Sequence, residues 1–155
     1  MKNVFIGVGS NLGNREDNIK SAEALLRSQK FVTSFLSSQI YETNPVGGPP
    51  QGKFLNAVWQ IEGHFTPREL FDSLRMIETS LGRKRTMSNG PRTMDLDVLF
   101  CDDFILNERD LVIPHPKIQE RWFVLKPLWD LAADFIHPVL QKSICELLDE
   151  CRAHH

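Results

Sequence analysis

Apolar and polar positions along the first hundred residues predict alternating strands and helices. Short apolar runs rich in β-branched residues predict strands, and apolar positions recurring three or four apart predict helices. The predicted strands are 4–9, 31–41, 53–62 and 94–100. Asn14 is placed to cap the first helix, Thr66 and Glu69 form a capping box that begins the second, and Gly82 is placed to end it. The predicted order is therefore β-α-β-β-α-β.

Each predicted helix has one apolar face. The core-facing positions are Ile19, Ala22, Leu25 and Leu26 in the first helix, and Leu70, Phe71, Leu74, Ile77 and Leu81 in the second. The βαββαβ order is that of an antiparallel sheet with both helices on one face. The apolar C-terminal third, including a last amphipathic helix, can cover the other face. We therefore predict an α+β fold class, with a ferredoxin-like βαββαβ core and a mainly antiparallel sheet in a three-layer α-β-α sandwich, as a single domain over residues 1–155.

Composition and charge exclude several classes of protein. A chain of 155 residues with 41% hydrophobic and 25% charged residues suits one globular domain. A net charge of -2 gives no general attraction to nucleic acid or to an anionic membrane, and no apolar run approaches the ~20 residues of a spanning helix. The three cysteines have no paired spacing, which argues against disulfides and structural zinc. We expect a cytoplasmic monomer without a secretion signal.

Two acidic residues lie in the fourth predicted strand. Asp95 and Asp97 point to the same side of it, and Leu96, Val98 and Phe100 point to the other, into the core. Carboxylates ~7 Å apart along a strand repel each other unless a cation lies between them. Magnesium prefers such oxygen ligands. The pair is therefore either a metal site or two surface acids on a solvated strand.

A basic loop precedes the acidic strand. Residues 82–93 contain Arg83, Lys84, Arg85 and Arg92 together with two glycines and a proline. Loops of this length in a small domain are often functional. Guanidinium groups bind phosphate oxygens through charge-assisted hydrogen bonds, so the loop and the acid pair together favour a metal-polyphosphate ligand. Incidental ion pairs between the loop and the acids are the alternative.

Two further segments have candidate binding roles. The Pro/Gly-rich loop at 43–52 is longer than a hairpin needs, and it leads into Phe54 and Asn56 on one strand face. An aromatic ring beside an amide can stack on a flat ligand and bond its edge, although both residues are also ordinary in a core. The glycines of 7–13 are spaced one residue too far for a dinucleotide-binding loop, and no acidic residue ends the next strand, so we reject a Rossmann fold.

Four segments, taken together, resemble 6-hydroxymethyl-7,8-dihydropterin pyrophosphokinase of folate biosynthesis. Residues 90–97, GPRTMDLD, are similar to the family's GPRTxDLD signature. The other three segments are Phe54-Leu55-Asn56-Ala57, Ile113-Pro114-His115-Pro116 and Arg121-Trp122-Phe123. They follow one another in the family's order.

The resemblance implies an enzyme that transfers pyrophosphate from ATP to the hydroxymethyl group of the pterin, with AMP as the other product. It implies that Asp95 and Asp97 hold two Mg²⁺ ions and that Arg83 and Arg92 are catalytic with them. The remaining implied contacts are Arg83, Arg85, Arg92, His115 and Arg121 with phosphates; Glu78 and main chain near Val98 and Val112 with the nucleotide; and Phe54, Phe123, Asn56 and main chain near Thr43 and Val46 with the pterin. The partners are then small molecules, without nucleic acid or membrane.

Two other functions are open from the residues alone. A different magnesium-dependent phosphotransferase, acting on another flat heterocycle, would need the same acid pair and loop. A non-catalytic RNA-binding module would use the sheet face, but the aromatic glycine-rich pattern is absent and an acidic pair would repel phosphate.

Overall fold

The computed structural model describes residues 1–45, 48–82 and 93–153. In chain order the elements are β1 (Val4–Ser10), α1 (Arg15–Arg27), β2 (Val32–Ser37), β3 (Tyr41–Thr43), β4 (Phe54–Gly63), α2 (Pro67–Ser80), β5 (Asp95–Cys101), β6 (Leu106–Asn107), β7 (Val112–Ile113), α3 (Trp122–Ala132) and α4 (Ile144–Ala153). A 3-10 turn at Ile118–Glu120 precedes α3. Within these residues, no helix combines the length and the apolar character needed to cross a bilayer.

The main sheet has the strand order β2-β4-β1-β5, and β3 also pairs with β4. All of these pairs are antiparallel, and β6 and β7 form a separate small ladder. The predicted ferredoxin-like βαββαβ core is confirmed. Because both neighbours of β1 run antiparallel to it, the rejection of a Rossmann fold is confirmed as well.

The helix boundaries follow from their capping residues. The Asn14 side chain accepts the N–H of Asp17 at 3.1 Å, Thr66 and Glu69 form the reciprocal capping box, and Gly82 adopts a φ of 84°. One helix prediction is wrong, because Leu25 is 38% exposed. The residue precedes the buried Leu26 and is therefore rotated about 100° around the helix axis, away from the sheet.

The predicted strand 31–41 is wrong as a single strand, because β2 and β3 are separated by an irregularity at residues 38–40. Ser37 pairs with Trp59 and Tyr41 with Asn56, so four steps along this segment match three along β4. The Ser38 hydroxyl accepts the N–H of Val58 at 2.9 Å inside the irregularity. The extra residue moves Tyr41 onto the sheet face that Asn56 occupies.

Apolar side chains pack on both faces of the sheet. One core lies between the sheet and helices α1 and α2, and the other lies between the sheet and helices α3 and α4. The second core includes Phe5, Val58, Phe100, Leu125, Leu128 and Leu147. The predicted three-layer sandwich is confirmed, with the C-terminal helices as its third layer.

A β-bulge in β5 reverses the predicted direction of Phe100. Phe5 pairs with Phe100 and Ile6 with Val98, which leaves Leu99 without a partner across the ladder. Leu99 and Phe100 consequently both pack against the C-terminal helices, whereas Leu96 and Val98 pack against α1 and α2 as predicted. The prediction for Phe100 is wrong because strict alternation ends at the bulge.

Candidate active site

The two aspartates lie on the sheet face that the C-terminal helices cover only in part. Across the ladder from β5 to β1, Asp95 is opposite Gly9 and Asp97 is opposite Gly7. Gly9 is in turn opposite Asn56 on β4. Directly opposed residues of an antiparallel pair share a face. Gly9 therefore leaves bare backbone between Asp95 and Asn56, whereas the Leu99 side chain lies over Gly7.

A cavity of about 470 Å³ opens over this backbone, a size typical of small-molecule sites. Eight of the predicted site residues line it: Thr43, Phe54, Asn56, Asp95, Asp97, His115, Arg121 and Phe123. Residues that were not predicted as site residues also line it, among them Gly7, Gly9, Lys117, Glu120 and Trp122. The structure thus brings acidic, basic and aromatic side chains from distant parts of the chain to one site.

One side of the cavity carries the aromatic ring and the amide. Asn56 donates a hydrogen bond from Nδ2 to Oγ1 of Thr43 on the neighbouring strand. A methyl group added at Gly9 would lie 3.5 Å from both Oδ1 of Asn56 and Cδ1 of Phe54. The absence of a side chain at Gly9 therefore keeps the space beside Phe54 and Asn56 open.

The other side is formed by residues that precede and begin α3. The backbone N–H of His115 donates to the carbonyl oxygen of Leu99 at 3.0 Å, so the bulge in β5 anchors the histidine beside the aspartates. The Arg121 guanidinium carbon lies 5.9 Å from the centre of the Phe123 ring. This side therefore offers a cation, an imidazole and a second aromatic ring.

Burial and mutual repulsion shape the electrostatics of the site. Burial, followed by the charge of Asp95, raises the pKa of Asp97 from 3.8 to about 7, although Arg75 and Arg121 oppose the shift. Burial, followed by the charge of Arg121, lowers the pKa of His115 from 6.5 to about 4. At neutral pH the imidazole is therefore uncharged. The raised pKa of Asp97 means that its surroundings disfavour a negative charge on both aspartates.

The acid pair fits a magnesium ion that shares its coordination sphere with a ligand. Within residues 1–45, 48–82 and 93–153, no group of three or more His, Cys, Asp or Glu side chains is arranged to hold a metal. Magnesium usually takes one or two carboxylates and completes its shell with water and phosphate oxygens. Two carboxylates with unfavourable mutual charge, facing an open cavity, suit that mode of binding rather than a closed structural site.

Three predicted nucleotide contacts are not among the described residues that line the cavity. The buried Glu78 accepts the backbone N–H of Leu96 with Oε2 at 2.8 Å and pairs with Arg75 through Oε1 at 2.5 Å. The Val98 side chain lies in the core beneath α1 and α2, and Val112 is at the surface in β7. Their roles stay predictions.

Four further predicted contacts fall outside the described residues. They are Val46, Arg83, Arg85 and Arg92. The proposed roles of the basic loop therefore rest on the sequence and on the family.

Sequence reasoning missed the two glycines of β1. Gly7 and Gly9 were considered only as part of a dinucleotide-binding loop, yet they lie opposite Asp97 and Asp95. A signal for this role was present, since glycines two residues apart on a strand share a face. Alternating glycines in one strand beside alternating acids in another favour a ligand cleft over a packed core.

Comparisons with known proteins identify the family of this chain. The family model described as 7,8-dihydro-6-hydroxymethylpterin-pyrophosphokinase (HPPK) matches residues 5–133. The 2-amino-4-hydroxy-6-hydroxymethyldihydropteridine pyrophosphokinase of Bacillus subtilis is 42% identical over 132 residues, which cover 84% of this chain and 79% of that protein. The folic acid synthesis protein fol1 of Pneumocystis carinii is 40% identical over 151 residues, which cover 97% of this chain and 20% of fol1.

The fold also matches solved structures. The crystal structure of wild-type Plasmodium falciparum HPPK-DHPS with SDX-DHP superposes with a TM-score of 0.73 at 16% identity, over 97% of this chain and 43% of that chain. This chain therefore spans less than half of that protein and about a fifth of fol1. At such low identity the superposition supports the fold alone. The match over residues 5–133, together with the Bacillus relative, establishes that the chain belongs to the 7,8-dihydro-6-hydroxymethylpterin-pyrophosphokinase family.

Proposed function

We propose that this chain transfers pyrophosphate from ATP to the hydroxymethyl group of 6-hydroxymethyl-7,8-dihydropterin, with AMP and the pterin diphosphate as products. The observation that supports this most directly is the shared cavity. Gly7 and Gly9 lie between the acid pair and the Phe54–Asn56 side, with the Leu99 side chain over Gly7. A flat acceptor beside Phe54 would thus have its reactive group next to the carboxylates.

The acceptor side suits a planar, polar heterocycle. Phe54 and Phe123 both line the cavity, on strand β4 and helix α3. We propose that the pterin stacks between them, because an aromatic face is attractive to a flat conjugated ring. Asn56, held by Thr43, would bond the edge of the ring, and main chain near Thr43 and Val46 would complete the recognition.

The phosphate side depends on cations from several segments. We propose that Arg121 and His115 contact the phosphate oxygens from the cavity wall, and that Arg83, Arg85 and Arg92 do so from the basic loop. Asp95 and Asp97 would hold two Mg²⁺ ions, which neutralise polyphosphate charge and lower the pKa of a coordinated hydroxyl. The protein's own contribution is to align acceptor and polyphosphate and to exclude water, which would otherwise compete as the acceptor.

Glu78 and β5, the last strand in the order of the main sheet, support the proposed nucleotide site. Glu78 bonds the backbone N–H of Leu96, next to Asp95 and Asp97. We propose that this bond fixes the start of β5, and that main chain near Val98 and Val112 contacts the adenine.

We further propose a monomer that works in the cytoplasm. The cytoplasmic location is supported by Cys101, Cys145 and Cys151, which are all unpaired, as is usual in a reducing compartment.

The direct test is to identify the nucleotide product. The protein is incubated with ATP and 6-hydroxymethyl-7,8-dihydropterin, with and without Mg²⁺, and the mixture is analysed by mass spectrometry. We expect equal amounts of AMP and pterin diphosphate, and neither product when the pterin or the metal is omitted. Formation of ADP would refute pyrophosphate transfer, and turnover without Mg²⁺ would refute the role of the acid pair.

A matched pair of variants tests the residues. Asp95→Ala should lower kcat at least about 100-fold while the protein stays folded, because a transition-state charge contact is lost. Asp103→Ala removes the same charge from an exposed position at the other end of β5 and should leave kcat unchanged. Normal turnover by the Asp95 variant would exclude its metal role.

A further inference from the structure

A polar cluster outside the cavity joins helix α3 to strand β3. The Tyr41 hydroxyl donates to Oδ2 of Asp130 at 2.5 Å. The ammonium of Lys126 lies 3.5 Å from Oδ1 of the same carboxylate and 3.9 Å from the centre of the Trp129 ring. The Asp130 side chain is only 15% exposed. Such a shielded, charge-assisted hydrogen bond is stronger than a solvated one.

Strand β3 is short, and an ion pair from Arg15 of α1 to Glu42, at 2.8 Å, is another contact that holds it. It has three residues, and the only pairing recorded for it among the described strands is with β4. The Pro/Gly-rich loop follows it directly, and Asn44 and Gln51 from that loop line the cavity. A strand this short has few ladder hydrogen bonds. The contact from Tyr41 to α3 therefore adds to the few interactions that fix its position.

The position of β3 determines the orientation of the Asn56 amide. Tyr41 lies directly opposite Asn56 in the β3–β4 ladder, and Thr43 lies opposite Phe54. The Thr43 hydroxyl accepts the Asn56 Nδ2–H, while Oδ1 lies over Gly9 at the cavity. If β3 moved away from β4, the amide would lose this partner and could rotate. A continuous set of contacts thus links α3 to the residue proposed to bond the acceptor edge.

We propose that Asp130 is a positioning residue for the acceptor, acting through Tyr41 to hold strand β3 and, with it, the Thr43–Asn56 pair. This inference rests on the proposed function. Neither Asp130 nor Lys126 is among the described residues lining the cavity, so Asp130 acts without touching the substrate. Its loss should weaken binding of the acceptor and leave binding of ATP unchanged, which a purely structural contact would not do.

Steady-state kinetics of single and double variants test the proposal. Asp130→Ala and Tyr41→Phe should each raise the KM for 6-hydroxymethyl-7,8-dihydropterin about tenfold, and the double variant should match either single one, because all remove the same hydrogen bond. Asp130→Asn should have a smaller effect, since its amide oxygen still accepts. The KM for ATP should stay constant throughout. Asp134→Ala, an exposed acid just beyond α3, is the control and should change neither KM.

A spectroscopic readout follows Tyr41 itself, which is the single tyrosine of the chain. Burial, followed by the hydrogen bond to Asp130, raises the pKa of Tyr41 to about 12. Tyrosinate absorbance should show this pKa moving toward its ordinary value in Asp130→Ala, over the pH range where circular dichroism confirms a folded chain. If the pKa of Tyr41 is unchanged in Asp130→Ala, the proposed action of Asp130 through Tyr41 is wrong.

The two levels of failure can be told apart. If wild-type protein forms no AMP from ATP and the pterin, the proposed function fails and this inference fails with it. If wild-type protein forms AMP but Asp130→Ala leaves the KM for the pterin unchanged, only the positioning role is wrong. Additive effects in the double variant would also contradict it, because they would mean that Asp130 and Tyr41 act separately.

Discussion

Replacing Asp97 by asparagine should stabilise the protein while abolishing its proposed chemistry. Because burial and the neighbouring Asp95 raise the pKa of Asp97 from 3.8 to about 7, the folded chain binds this proton more tightly than the unfolded chain does. Ionising Asp97 as the pH rises through that window therefore costs stability. Asparagine has nearly the same shape and no charge, so the variant avoids the cost.

The size of the effect follows from the shift. About three pKa units correspond to about 4 kcal/mol at pH well above 7, since each unit is ~1.4 kcal/mol. The Asp97 side chain is partly exposed, and solvent screening reduces that bound. We expect a gain of about 1–3 kcal/mol near pH 8 that shrinks to a few tenths near pH 4, where the carboxyl is protonated in the folded state and only about half ionised in the unfolded state.

Urea unfolding measures this gain directly. Wild type and Asp97→Asn are unfolded across the pH window with a chelator present, so that divalent ions do not offset the repulsion. Asp103→Asn, at an exposed position, is the matched control and should not reproduce the trend. Equal or lower stability of the Asp97 variant near pH 8, or a difference independent of pH, would refute the electrostatic reasoning.

Four further outcomes are expected. Gly9→Ala should fold normally, since its methyl group meets cavity side chains at an ordinary 3.5 Å, but it should raise the KM for the pterin. Gly63→Ala should lose about 3 kcal/mol or more of stability in urea unfolding, because its methyl group would lie 1.9 Å from the Phe31 carbonyl oxygen. Thr66→Ala should lose about 1 kcal/mol with unchanged kcat, since it removes only a helix cap. Burial lowers the pKa of His115 from 6.5 to about 4, so the stability that its neutral ring contributes is complete above pH 6.5 and is lost as the pH falls toward 4. The His115→Gln variant should therefore lose about 1–3 kcal/mol less stability than wild type over this pH range. An equal loss of stability in both proteins would contradict this prediction.

Local patterns were enough to predict most of the fold. The caps at Asn14 and Thr66 and the glycine stop at Gly82 are set by residues close in sequence, and all are confirmed. The two strand errors arose where an extra residue entered a strand. The irregularity before Tyr41 and the bulge at Leu99 each change which face the next residues occupy. Side-chain pattern alone does not reveal such a change in register.

Part of the site was predicted because it depends on local strand alternation. Strand alternation places Asp95 and Asp97 on one face, and the structure shows both lining the cavity. The bond between Tyr41 and Asp130, by contrast, joins residues 89 positions apart. The direction of a tyrosine hydroxyl depends on how α3 packs, and no short-range spacing encodes that. Contacts of this kind become visible only when the third layer is in place.

The bulge at Leu99 divides β5 into two segments that can change independently. Upstream of the bulge, the alternation of side chains directs the carboxylates toward the cavity. Downstream of it, the direction of Phe100 is set by packing in the core that α3 and α4 cover. Mutational drift in the C-terminal layer can therefore be absorbed by the second segment without turning Asp95 or Asp97. A one-residue deletion at Leu99 would remove the bulge together with the carbonyl oxygen that holds His115 at the cavity.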